Sequence, residues 1–165
     1  MRAFIAISCV LILALSLSAT ADGEGEAGMM MGPKPEAEAF SHHVMFMSPY
    51  QGWGYWPGYG ELVEGKSPHG AYIRLFGNAI ALKAAREGAD VMPDGSIIMK
   101  ENYDKDKKLV ALTPMYKSAG YNPEGGDWYW AKMSPDGKVM ADGKLKGCID
   151  CHAKVKKKDW IFLSP

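Results

Sequence analysis

The feature that most constrains the fold of this 165-residue chain is a C-x-x-C-H motif placed close to its end. The motif consists of Cys148, Cys151 and His152, and only 13 residues follow it. At this spacing two thiols can add to the vinyl groups of haem while the histidine ligates the iron. A zinc site would need two more ligands, and the sequence has neither a second cysteine pair nor an H-x-x-x-H motif. A disulfide or a redox C-x-x-C pair has no use for the histidine, so the motif predicts haem c bound through these three residues.

The late position of the motif argues against the common helical cytochrome folds. All-helical cytochromes c carry the motif near the start and take a methionine from far downstream as the sixth iron ligand, whereas no methionine follows His152. Helical-bundle cytochromes c′ need four long amphipathic helices, and this sequence predicts one short helix. We therefore expect a β-rich scaffold and an iron that is open on its distal side. The alternative is a simple electron-transfer cytochrome with a methionine as sixth ligand, from among Met115, Met133 and Met140.

Alternating side chains between residue 67 and the motif predict strands. In "HGAYIRLFGN", Arg74 lies on one face and Leu75 on the other. In "MPDGSIIMKENYD", which begins with a Pro-Asp-Gly turn, Lys100 lies on the face opposite Glu101. The segments "KLVALTPMYK" and "DWYWAKMSPDGKVM" are typical of further strands, the latter with a second Pro-Asp-Gly turn.

One short helix is predicted between the first two strands. Asn78 can cap its start, and Gly88 can end it. Several strands with short turns and one helix indicate an α+β fold. The prediction is a mainly antiparallel β-sheet with one or a few short helices, with the haem packed on the sheet and attached at a C-terminal C-x-x-C-H motif.

The first 66 residues are predicted to lie outside this haem domain, which would span residues 67–165. Residues 1–21 combine Arg2, an apolar run and an A-x-A pattern ending at Ala21, which predicts a signal peptide and a periplasmic protein. Retention as a membrane anchor is less favoured because the apolar run is short. Residues 22–66 join a Gly/Ala/Glu/Met/Pro stretch, predicted to be flexible, to an aromatic, Gly-rich stretch from Trp53 to Tyr59. The aromatic stretch is predicted to pack on the domain or on a partner subunit.

Composition adds two smaller points. The segments "MMM" and "SHHVMFM" carry ligands that suit copper, but methionine more often fills irregular gaps in packing, so copper is the weaker interpretation. Lys and Arg total 19 and Asp and Glu total 19, a balance that does not indicate nucleic-acid binding.

Five segments together resemble the cytochrome P-460 family, over roughly Pro68 to Trp160. They are "HGAYIRLFGN", "MPDGSIIMKENYD", "LTPMYK", "GYNPEGGDWYWAKMSPDG" and "GCIDCH". The resemblance implies a β-rich and usually dimeric fold. In this family a lysine on the strand after the turn is covalently bonded to the haem macrocycle, and Lys100 stands at the matching position. The relatives called cytochrome c′-beta share the fold, lack that lysine, and bind nitric oxide without oxidising hydroxylamine.

The same resemblance assigns a role to Arg74, which matches an arginine that would lie in the distal pocket. From the strand pattern alone, an ion pair at the sheet edge is an equally good interpretation of Arg74, and Lys100 would be a surface lysine beside Glu101. The resemblance favours the haem-linked role for Lys100. No distal proton acceptor can be placed, because Glu101 faces away from Lys100, and His69 could simply end a loop with a hydrogen bond.

The function implied by the resemblance is that of a periplasmic monohaem cytochrome. It would oxidise hydroxylamine to nitrous oxide, nitric oxide or nitrite and pass electrons to a redox partner cytochrome. The alternatives are a nitric-oxide-binding protein like cytochrome c′-beta, without turnover, and a simple electron carrier. A homodimer is expected from the family. The lysines from Lys154 to Lys158 would steer an acidic partner or form a solvated face.

Overall fold

An antiparallel sheet dominates the computed structural model, which describes residues 32–162 of the chain. The predicted signal peptide, residues 1–21, lies outside the described residues. Eight strands form the sheet within this range: β1 (Gly54–Tyr55), β2 (Val63–Glu64), β3 (Tyr72–Gly77), β4 (Ile97–Tyr103), β5 (Leu109–Leu112), β6 (Met115–Lys117), β7 (Trp128–Met133) and β8 (Val139–Gly143). Three short α-helices accompany them: α1 (Ala37–His42), α2 (Ala79–Glu87) and α3 (Lys146–His152). The predicted α+β class is confirmed.

Most strands that pair in the sheet are also neighbours in sequence, and the exceptions are the pairs β1–β3, β4–β6 and β5–β7. Along the sheet the order is β1, β3, β4, β5, β7 and β6, with β2 on β3 and β8 on β7. The segment predicted as one strand, "KLVALTPMYK", forms two, because Pro114 between β5 and β6 has no N–H to donate to a ladder. None of the helices in the described range is both long and apolar enough to cross a membrane.

The pairing of β3 with β4 sets which side chains share a face. Leu75 lies opposite Lys100, and Arg74 lies opposite Glu101. Because side chains alternate along a strand, these two pairs point to opposite faces of the sheet. One face carries a core that includes Ile73, Leu75, Ile98, Trp128 and Trp130, and the other a core that includes Phe76, Ile97, Met99, Tyr116 and Tyr129.

Helix α2 begins and ends where the sequence predicts. The Asn78 side chain accepts a hydrogen bond from the Ala81 N–H at 3.0 Å, and Gly88 ends the helix in the left-handed conformation with φ 71°. Asn78 also accepts from the Ile97 N–H at 3.1 Å and donates to the Gly95 carbonyl at 2.8 Å. The cap therefore also ties the helix to the start of β4.

The packed domain begins earlier than the boundary predicted at residue 67. Phe40 on α1 and Val44 on the π-helical turn His43–Met47 are both fully buried, and Tyr50 is nearly so. Phe40 and Val44 are four residues apart, so they lie on one side of the helical segment and pack into the second core. The composition of residues 22–66 is polar enough to predict flexibility, but these few large side chains are sufficient to anchor the part that the structure describes, which begins at residue 32.

The aromatic stretch packs on the domain itself, which is one of its two predicted placements. Trp56 and Tyr59 are buried in the first core, whereas Tyr55 remains about half exposed.

Candidate haem-binding site

The histidine of the motif is held in the tautomer that a metal ligand needs. His152 is the last residue of α3, and its Nδ1 donates a hydrogen bond to the Trp160 carbonyl oxygen at 2.6 Å. A carbonyl can only accept, so Nδ1 carries the proton and Nε2 keeps its lone pair. Burial is the largest influence on this side chain and lowers the pKa of His152, which favours the neutral form that ligates metals. The rings of Trp130 and Phe162 pack edge-to-face with the imidazole, with centroid distances of 4.6 and 5.1 Å.

A largely apolar cavity of about 370 Å³ contains all three motif residues in its wall. Cys148 and Cys151 are free thiols there, and His152 lies beside them. A second cavity of about 310 Å³ shares Cys151 and His152 with the first. The indole N–H of Trp130, in the wall of the larger cavity, is buried and has no hydrogen-bond partner among the described residues.

These residues fit haem c. Two thiols and a free imidazole Nε2 are the donor set that the cofactor takes, and an apolar wall suits the macrocycle. A buried donor without a partner is expected where a bound group supplies the acceptor.

Lys100 lies in this site. It lines both cavities together with Cys151 and His152. Within residues 32–162 its Nζ makes neither a hydrogen bond nor an ion pair. Burial lowers the pKa of Lys100 to about 8, against a smaller opposing effect of the two cysteines. The side chain is therefore not the surface lysine that the strand pattern alone would allow.

Arg74 is not brought to this site. Its guanidinium lies on the opposite face of the sheet, with Nη1 3.8 Å from Glu101 Oε2. The rings of Tyr55 and Tyr103 flank it, each centroid 5.9 Å from the guanidinium carbon. The distal-pocket role expected for Arg74 differs from this placement, and the ion-pair alternative agrees with it. The reason is the register between β3 and β4. Arg74 lies opposite Glu101, whereas Lys100 lies opposite Leu75, so the side chains of Arg74 and Lys100 point to opposite faces of the sheet.

Glu101 is the centre of a separate polar cluster. It is buried and accepts hydrogen bonds from the Tyr50 hydroxyl at 3.0 Å and the Tyr103 hydroxyl at 2.6 Å. Burial, followed by the adjacent carboxylate, raises the pKa of Tyr50, and burial with the hydrogen bond to Glu101 raises that of Tyr103 to about 12. Glu101 therefore faces away from the haem cavity. This agrees with the alternation of side chains along β4, which places Glu101 and Lys100 on opposite faces.

His69 is a residue of this site to which the sequence assigns no chemistry. It lines both cavities, and its ring centroid lies 6.4 Å from that of His152. Its Nδ1 is 3.0 Å from Asn102 Oδ1. Asn102 Nδ2 donates to the Ala111 carbonyl at 3.2 Å, which sets the orientation of the amide, so His69 Nδ1 is the donor and Nε2 keeps a lone pair.

The protonation state of His69 agrees with this tautomer. Burial is the main cause that lowers its pKa to about 4, and the nearby Lys100 acts in the same direction. The only sequence signal for this arrangement is the alternation that places Asn102 on the same strand face as Lys100. Nothing in the segment "SPHG" predicts which side chain His69 meets.

The methionines considered as sixth ligands are dispersed. Met115 lines the larger cavity, Met133 is buried in the second core, and Met140 is about half exposed. No three His, Cys, Asp or Glu side chains converge on a possible metal site in the described range. The copper interpretation of "SHHVMFM" also depends on methionine ligands, which are not among these four side-chain types, and "MMM" lies outside the described residues.

Comparison with known proteins agrees with this site. The family model described as Cytochrome P460 matches residues 50–163, which include β1 to β8, Lys100 and the complete motif. A search of curated proteins finds no match to the chain. The chain belongs to the Cytochrome P460 family and is a c-type haem protein.

Proposed function

We propose that the protein oxidises hydroxylamine to nitrogen oxides in the periplasm and passes the electrons to an external acceptor. The observation that carries this proposal is the position of Lys100, whose unpaired amine lies in the same cavity wall as Cys151 and His152. The Cytochrome P460 family includes hydroxylamine-oxidising cytochromes, which supports the same activity here.

The residues of the chain divide the work of holding the cofactor. Cys148 and Cys151 would attach it through thioethers, and His152 would ligate the iron through Nε2, since its Nδ1 is held by the Trp160 carbonyl. When bound, the haem would supply redox-active iron chemistry for a small nitrogen ligand.

Lys100 is proposed to bond covalently to the macrocycle through Nζ. That bond replaces one N–H and one C–H bond by one N–C bond, so two protons and two electrons leave. The proposed oxidant is hydrogen peroxide, which takes up both and is reduced to two molecules of water. A neutral amine is required, and the lowered pKa of about 8 makes that form accessible near neutral pH. The bond would also remove the cost of a buried ammonium without a partner.

His69 is proposed to position the substrate. Its Nε2 has a lone pair and no partner among the described residues, and its ring is part of both cavity walls. A hydroxylamine O–H or N–H bound in the cavity can donate to that nitrogen. His69 would thus supply a hydrogen-bond acceptor on the haem face of the sheet, whereas Glu101 lies on the other face.

The electron acceptor is proposed to be a partner cytochrome with an acidic surface. Four lysines that follow the motif are exposed: Lys154, Lys156, Lys157 and Lys158. Such a cluster raises the association rate of an acidic partner, and salt screens the effect. The reaction with a purified acidic cytochrome should slow as ionic strength rises, and a rate that does not depend on salt would show that these lysines do not steer the partner.

A homodimer is proposed from the family alone.

A second candidate function is nitric oxide binding without turnover. It is favoured by the walls of the larger cavity, where no carboxylate is present among the described residues to accept a proton. It requires that Lys100 remain unbonded.

Two measurements on the purified holoprotein distinguish these functions. Mass spectrometry of haem peptides should find the cofactor joined to the Lys100 peptide as well as to the Cys148–Cys151 peptide. Incubation with hydroxylamine and an artificial electron acceptor should then reduce the acceptor and yield a nitrogen oxide. Haem on the cysteine peptide alone, with nitric oxide binding and no acceptor reduction, would replace the first function by the second.

A further inference from the structure

Two consecutive residues after the haem helix adopt the left-handed backbone conformation. Asp159 has φ 51° and Trp160 has φ 60°. Residues with a side chain rarely occupy this region, and such a conformation persists only where the surrounding structure holds it. A run of two therefore requires specific contacts that hold it.

The contacts of Asp159 account for that conformation. Its Oδ1 forms a buried ion pair with Lys117 Nζ at 2.6 Å, and its Oδ2 accepts from the Met92 N–H at 2.8 Å. Its carbonyl oxygen accepts from the Trp128 indole N–H at 2.9 Å. Lys117 in turn donates to the Gly126 carbonyl at 2.7 Å. Side chain and main chain of Asp159 are thus held from three separate parts of the chain.

The carbonyl that follows this anchor is the one that receives the His152 Nδ1 hydrogen bond. Trp160 is the next residue after Asp159, and its oxygen lies 2.6 Å from His152 Nδ1. A relaxation of either residue out of the left-handed region would rotate the intervening peptides and move this oxygen. Neither Lys117 nor Asp159 lines the haem cavities.

We propose that the Lys117–Asp159 ion pair is a positioning device for the iron ligand. It holds the Trp160 carbonyl against His152 Nδ1 and thereby sets the electron donation of His152 to the iron. A proton acceptor on the far ring nitrogen increases the basicity of a metal-bound histidine, and second-shell hydrogen bonds of this kind tune haem reduction potentials. The inference rests on haem ligation by His152 and does not depend on hydroxylamine oxidation.

The test uses the ferrous and ferric holoprotein without hydroxylamine. Asp159→Asn keeps the shape of the side chain and removes its charge, so the Trp160 carbonyl should lose its fixed position. The iron–histidine stretching frequency in resonance Raman spectra should fall, and the reduction potential should rise, because a weaker donor stabilises ferric iron less. Trp128→Phe keeps the ion pair but removes the donor to the Asp159 carbonyl, together with part of a fully buried ring that lies against Lys117 Nζ, and should shift both quantities in the same direction by a smaller amount.

The matched control is Asp142→Asn, which removes the charge of the carboxylate that accepts the Tyr129 hydroxyl hydrogen bond, at 3.0 Å, at the edge of the other core. It should lower the thermal midpoint and leave the stretching frequency and the potential unchanged. The inference is overturned if Asp159→Asn lowers the thermal midpoint with neither haem quantity shifted, or if the control shifts them equally. Should Asp159→Asn yield no holoprotein, Trp128→Phe decides, and an unchanged frequency and potential in that variant overturn it.

Discussion

Lys100 and Glu101 are neighbours in β4, yet the two faces of the sheet treat their charges differently. On one face Lys100 lies in the haem cavity, and its amine has no partner within the described residues. On the other face Glu101 is buried and receives two tyrosine hydroxyls, with Arg74 3.8 Å away. One strand thus presents an unsatisfied charged group and a satisfied one, a single residue apart.

This difference in hydrogen-bond partners indicates that Lys100 serves function and Glu101 serves stability. A buried polar group without a partner costs free energy, so a fold tolerates it where a ligand or a reaction uses it. On the cavity face the indole N–H of Trp130 is buried and has no partner among the described residues, and His69 Nε2 makes no hydrogen bond there either. The opposite face pairs its carboxylate with donors that are all parts of the fold. The Arg74 Nε on that face is also buried without a partner among the described residues, so it is the pairing of the two neighbouring charges, Lys100 and Glu101, that distinguishes the faces.

The largest effect is expected from Lys100→Leu. Without the amine no bond to the macrocycle can form, so hydroxylamine oxidation should fall to background and the cross-linked peptide should disappear. Haem attachment at Cys148 and Cys151 and nitric oxide binding should remain, since neither uses Lys100. Lys83→Leu, an exposed lysine on α2, is the control and should keep full activity. Retained oxidation in Lys100→Leu would show that the amine is not the group that distinguishes the two functions.

Substitution of Glu101, the neighbour of Lys100 on the opposite face, should affect stability alone. Glu101→Gln removes the charge that strengthens two hydrogen bonds, and we expect the free energy of unfolding to fall by about 1–3 kcal/mol in urea titrations. The haem absorption spectrum should stay as it is, because Glu101 faces away from the cavity. Glu124→Gln, at an exposed carboxylate, should change neither quantity. A shifted haem absorption spectrum with an unchanged free energy of unfolding would instead show that Glu101 acts on the haem side of the sheet.

A smaller effect on turnover is expected from His69→Phe. Phenylalanine keeps an aromatic ring in the cavity wall and removes the Nε2 lone pair. Loss of one hydrogen bond to the substrate, about 1.4 kcal/mol, corresponds to roughly a tenfold decrease in kcat/KM for hydroxylamine. His43→Phe, at a histidine that lines neither haem cavity, should leave the constant unchanged. Equal values of kcat/KM for wild type and His69→Phe would show that His69 does not position the substrate.

Local patterns predict the parts of this structure that local physics determines. The C-x-x-C-H spacing predicts the haem attachment, strand alternation predicts that Lys100 and Glu101 face apart, and Asn78 predicts the start of α2. Each of these depends on residues within about one turn or one strand. The burial of Phe40 also follows a local rule, since it shares a helical face with Val44, but the polar composition around them obscures it.

The remaining features depend on pairing between distant segments, which composition and periodicity do not determine. Arg74 meets Glu101 because of the β3–β4 register, and a register shifted by one residue would have placed it on the haem face. His69 meets Asn102 across 33 positions, and the Lys117–Asp159 ion pair spans 42. The site therefore combines a locally predictable haem attachment with partners that only the tertiary fold brings to it.

Arg74 gives the smallest expected effect and the sharpest test of the two-face comparison. Arg74→Met removes a partly exposed ion pair, with the guanidinium side chain 30% exposed and the charges 3.8 Å apart, so unfolding should become easier by about 1 kcal/mol or less. Nitric oxide affinity and hydroxylamine turnover should match wild type, as should those of Arg86→Met on the exposed end of α2. A distal-pocket arginine would behave in the opposite way, because loss of its hydrogen bond would weaken ligand binding while stability stayed nearly constant. Measuring both quantities on the same preparation therefore assigns Arg74 to one face, and a loss of nitric oxide affinity would contradict the placement that the β3–β4 register gives it.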